Sequence, residues 1–70
     1  MEILRFDQTT FEVLHTYGLT NIINEICDFM ETEIDKGNVI VIERRYSNAQ
    51  PDTVSSLRTR EELQQFKNNY

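Results

Sequence analysis

NVIVIERRY, residues 38–46, is the stretch that decides the fold. Val39, Ile40, Val41 and Ile42 are four consecutive β-branched residues, stiff at χ1 and well suited to a pleated surface. An unbroken apolar run of this kind suits a central strand with both faces covered, at least at its start. Beyond it alternation resumes, so Arg44 and Arg45 point to opposite faces. A central strand needs a neighbour on each side, and the chain offers two. Met1–Phe6 (MEILRF) is short and apolar, with Glu2, Leu4 and Phe6 on one face and Met1, Ile3 and Arg5 on the other. Thr53–Leu57 (TVSSL) is weaker and follows Ser47–Asp52 (SNAQPD), a turn by composition in which Pro51 cannot donate to a ladder. It pairs back on residues 39–46 as an antiparallel hairpin.

The first two strands are separated by about thirty residues of helical pattern, the length a parallel crossover requires. Thr9 and Glu12 have capping-box spacing and predict a short helix from Thr10 to Tyr17, with Phe11, Leu14 and His15 on one side. Gly18 stops it at the position where φ > 0 is needed. With Thr20 as a second N-cap, Ile22, Ile23, Ile26, Phe29, Met30 and Ile34 recur at three- and four-residue intervals. They define a helix of about four turns ending at Lys36-Gly37. One continuous helix from Thr10 to Asp35 is the alternative; a mid-helix glycine costs about 1 kcal/mol, which favours a break. Thr59 and Glu62 repeat the capping-box spacing and start a last helix, Arg60–Asn68, that buries Leu63 and Phe66. The prediction is one small α+β domain over residues 1–70: a three-stranded mixed sheet in β-α-α-β-β-α order with helices packed on it, fraying at 68–70.

Composition narrows the function. A 70-residue chain buries only about 60% of its unfolded surface, so a partner subunit is a natural supplement, and a homodimer is expected. Cys27 is the only cysteine, which rules out an internal disulfide and leaves Cys27 and His15 as the only soft metal ligands. A lone thiol, an N-terminus without a basic signal region and no apolar run near about 20 residues predict a cytoplasmic protein with no membrane span.

Charge is unevenly placed. Residues 1–43 carry nine acids against Arg5 and Lys36, a net of −7, while residues 44–70 carry five bases against Asp52, Glu61 and Glu62, a net of +2; the sum is −5. The acids Glu25, Asp28, Glu31 and Asp35 fall opposite the apolar stripe of the long helix. Spaced along one helix they form a stripe, not a cage of converging oxygens, so no metal is expected. His15 is the one group with an intrinsic pKa near neutrality, but no nucleophile accompanies it; it suits a helix C-terminus instead. Cys27, mid-helix and followed by Asp28, lacks the cation or helix N-terminus that activates a thiolate. No enzyme and no cofactor are predicted.

Arg44, Arg45, Arg58 and Arg60 are expected to gather near the turn end of the hairpin with Tyr46, where they either hold phosphates and stack on a base or answer the acidic helix. With a net charge of −5 the second option is preferred. The order strand, helix, Lys36-Gly37, apolar strand, Arg44-Arg45, Pro51, Glu61-Glu62-Leu63 resembles, over Ile34–Leu63, the N-terminal half of the prevent-host-death antitoxins. The resemblance implies a small dimeric operator-binding domain. The turn Ser47–Asp52 is longer than the tight glycine-containing turn of that family, and its helix is not expected to be acidic. The leading expectation is a non-enzymatic module that docks to another protein through Glu25, Asp28, Glu31 and Asp35 and through the arginine hairpin. A nucleic-acid-binding regulator using Arg44, Arg45, Tyr46, Arg58 and Arg60 is the alternative.

Overall fold

A computed structural model of the chain describes residues 1–45 and 50–69. Along it run β1 (Ile3–Asp7), α1 (Gln8–Thr16), α2 (Thr20–Asp35), β2 (Val39–Arg44), β3 (Asp52–Leu57) and α3 (Arg60–Asn68). The predicted element order and class hold: a small α+β fold on a mixed sheet ordered β1-β2-β3. β1 lies parallel to β2, with Ile3 opposite Val39 and Phe6 opposite Ile42. β3 is antiparallel to β2, with Leu57 opposite Ile40. The register then slips: Ser55 faces Ile42 but Thr53 faces Glu43, which leaves Val54 as the extra residue of a bulge. No helix among the described residues is long and apolar enough to cross a membrane.

The core lies on one face of the sheet. Ile40, Ile42 and Leu57 meet Phe11 of α1, Met30 and Ile34 of α2, and Leu63 and Phe66 of α3, with Leu4, Phe6 and Ile26 packed against them. Phe11 and Phe66 touch edge to face at 5.2 Å between ring centroids. The other face is organised differently from the expected cover on both sides. Val39, Val41 and Glu43 are buried but belong to no helix-packed cluster. The thinnest dimension, 16 Å, fits one helix layer on one sheet.

The connections show which local signals were right. Both glycines adopt positive φ, +67° at Gly18 and +88° at Gly37, so α1 and α2 are separate helices. Gly18 N–H donates to His15 C=O and Leu19 N–H to Leu14 C=O; Gly37 N–H donates to Ile34 C=O and Asn38 N–H to Glu33 C=O. Each pair is a Schellman motif, closing carbonyls that the helix leaves open. The start of α1 corrects the Thr9–Glu12 box: Asp7 is the N-cap, its carboxylate accepting from Thr9 N–H at 3.0 Å, and the helix begins two residues early. Thr20 is not a cap either. Leu19 holds that position without a side-chain bond, while the Thr20 hydroxyl donates to Gly18 C=O. The last box is real, since Thr59 Oγ1 accepts from Glu62 N–H at 3.2 Å. The Glu62 carboxylate reaches one residue past the expected partner, to Arg58 N–H at 3.1 Å. α3 runs through Asn68 with Asn69 as its C-cap.

The added Cβ at Gly37 would meet nothing within 4 Å, so its substitution probes backbone strain alone. Gly37→Ala is expected to lower stability by about 1 kcal/mol. Ile42→Ala, at a site with no exposed surface, should lower it by about 2–5 kcal/mol. Urea unfolding of both variants checks the ranking; equal losses would contradict it.

Candidate functional site

The α2 helix carries more apolar surface than one sheet face can cover. Leu19, Ile22, Ile23, Ile26, Cys27, Phe29, Met30 and Ile34 sweep an arc wider than a single packing stripe. Only Cys27, Met30 and Ile34 are buried. Ile22 and Phe29, expected in the core, are 43% and 47% exposed, and Leu19 is 42% exposed. With the half-buried Ile26 they form a ridge at i, i+3, i+7 and i+10 along the flank of α2 nearest β1, where the Phe29 ring stands 6.4 Å from Phe6. Glu25 borders this ridge.

The acidic set does not act as one face. Glu31 and Asp35 lie on the flank toward α3 and are already engaged there. Arg60 donates from Nε to Asp35 Oδ1 at 3.0 Å and from a second nitrogen to Oδ2 at 2.5 Å, and approaches Glu31 Oε1 at 3.4 Å. Hydrogen bonding from the Arg60 side chain holds the Asp35 carboxyl below its ordinary pKa; desolvation opposes it, and the charge of Arg60 adds to the lowering. Glu33, lowered chiefly by the side-chain hydrogen bond from Asn38, ties the end of α2 to β1, because Asn38 Oδ1 also accepts from Glu2 N–H. Glu25 and Asp28 are exposed and have no ion pair among the described residues.

The arginines are not brought together. Arg44 sits opposite Asp52, whereas Leu57 sits opposite Ile40 at the other end of β3. About 17 Å of strand lies between Asp52 and Leu57, with Arg58 and Arg60 beyond it. Arg44 donates to Gln8 Oε1 at 3.1 and 3.0 Å. Arg45 approaches Glu43 Oε2 at 3.5 Å, and Arg5 donates to Glu43 Oε1 at 2.6 Å. Tyr46, the aromatic expected among them, lies outside the described residues. Glu43 was not foreseen: a 3%-exposed carboxylate on the open sheet face, shared by two exposed guanidinium groups. The odd acid in an apolar strand, followed by two arginines, was its available signal.

His15 and Cys27 line a cleft of about 230 Å³ among α1, α2 and α3, together with Lys67. Cys27 is buried, and burial pushes its thiol pKa up. Among the described residues no group of three His, Cys, Asp or Glu side chains is placed to hold a metal ion. Compared with family models, curated proteins and solved structures, the chain finds no match in any of the three. The antitoxin resemblance gains no support from them.

The lowered pKa values of Glu33 and Asp35 set a sign. Their contribution to stability is complete above the ordinary carboxylate range and is lost as pH falls through the lowered folded-state values. Asp35→Asn should therefore destabilise the protein at neutral pH and bring its acid limb closer to that of the wild type, the difference shrinking with salt. Stability measured against pH at low and high salt checks this; a difference that grows on acidification would contradict it.

Proposed function

We propose that this chain is a non-enzymatic, cytoplasmic binding module that docks to another protein through α2. The observation that carries the reading is the half-exposed ridge Leu19, Ile22, Ile26 and Phe29 with Glu25 beside it. Apolar anchors at i, i+3, i+7 and i+10 are the pattern by which helices and grooves recognise each other. Glu25 and Asp28 add charge that suits a basic rim on the partner, acting on association rate and specificity more than on affinity. Glu31, Asp35 and Arg60 belong to the docking of α2 on α3 and are assigned a supporting part. A protein partner is preferred to nucleic acid because Arg44 and Arg45 lie far along the sheet from Arg58 and Arg60. A homodimer is part of the same reading: the one-sided sheet leaves Ile3 51% exposed, and a second copy could cover it.

Affinity capture from the native host, at low and high salt, tests the docking surface. Ile22→Ala with Phe29→Ala should lose the captured protein, with binding weakened at least about tenfold, while Arg45→Ala retains it. Capture that survives the double substitution and disappears with Arg45→Ala would move the site to the sheet. A sedimenting species of 8.3 kDa at high micromolar concentration would exclude the homodimer.

A further inference from the structure

The cleft among the three helices has a composition that the docking surface does not use. Its floor is apolar and deeply buried: Phe11 and Cys27 are 2% exposed and Phe66 is 8% exposed. Ile23 forms a wall, and His15 and the cation Lys67 line it as well. Among the described residues no acidic side chain lines it. A pocket with an apolar body and one sign of charge at its edge selects ligands of matching polarity.

We propose that this cleft binds a small amphipathic carboxylate, with its hydrocarbon tail against Phe11 and Phe66 and its head group toward Lys67. The volume of about 230 Å³ lies just below the roughly 300–1,000 Å³ of sites for drug-sized ligands, which suits a short acid such as a six-carbon one. The field inside agrees in sign. Burial raises the Cys27 pKa most, and the opposing pull of Lys67 on the thiol exceeds the push from Asp28. Lys67 has no ion pair among the described residues, so a carboxylate would not have to displace one. The cleft lies on the flank of α2 toward α1 and α3, away from the ridge Ile22–Phe29, so ligand binding and partner docking can fail independently.

Titration of the intact chain with sodium hexanoate, followed by amide chemical shifts, tests the assignment without any variant. A ligand of this size is expected to saturate in roughly the millimolar range, with the largest shifts at Ile23, Cys27 and Lys67. Hexylamine, with a similar tail and the opposite charge, should bind at least about tenfold more weakly, and acetate, which lacks the tail, should not saturate. Lys67→Met should weaken hexanoate by about tenfold while leaving binding of 1-hexanol unchanged. No saturable shift with hexanoate, equal binding of hexanoate and hexylamine, saturation by acetate, or a Lys67→Met variant that binds hexanoate like the wild type would each overturn the proposal.

Discussion

Burial of the middle of β2 is the constraint on which the remaining structure depends. Ile40 and Ile42 have no exposed surface and are flanked on both sides by strands. Each backbone group of a central strand must be paired, because water cannot reach it once the helices are in place. β1 and β3 meet that demand, one parallel and one antiparallel. The parallel partner in turn requires a long connection, which is where α1 and α2 come from. The helices then have only one place to go, the face that carries Leu4, Phe6, Ile40, Ile42 and Leu57.

A single helix layer has consequences for charge. Of the acids of α2, Glu25 and Asp28 stay in water, Arg60 ties Glu31 and Asp35 to α3, and Asn38 and Lys36 hold Glu33. Arg5 and Arg45 gather on the open sheet face around Glu43, which neighbouring side chains nearly enclose. Removing one partner from a buried charge is costlier than the pair is worth in isolation. The triad therefore suits a face uncovered by helices: the carboxylate is buried while its two cations remain exposed.

The α2 helix divides its apolar surface three ways. Cys27, Met30 and Ile34 join the buried layer; Ile23 and Cys27 also wall the cleft toward α1 and α3; Leu19, Ile22 and Phe29 remain half open toward β1. That division explains why a stripe at helical spacing was a poor guide to burial here. Periodicity reports that a helix is amphipathic, and it does not report how wide the surface receiving it is. A three-stranded sheet bearing three helices offers a narrow seat, and the surplus becomes the ridge proposed as a docking surface.

Local chemistry was enough to read the elements. β-branched runs gave the strands, Gly18 and Gly37 the two helix ends, and Thr59 with Glu62 the start of α3, because each depends on neighbours within a few residues. Asp7 and Leu19 escaped notice because Thr9 and Thr20, two residues and one residue further on, offered the expected capping hydroxyls. The candidate site was far less legible. Arg44 stands on β2 and Arg58 just past the end of its partner β3, but how far apart they lie depends on which residue faces which, and that register joins residues distant in sequence. Glu43 becomes enclosed only when β1 and β3 flank it. His15, Cys27 and Lys67 share a cleft only when three helices converge. By itself the sequence determined the type and order of the helices and strands and the glycine-closed ends of α1 and α2, since these follow from short-range sterics and hydrogen bonding. Tertiary structure alone decided which side chains meet, which flank of α2 remains open and where the charges are answered, since those depend on contacts between segments that the chain brings together only on folding.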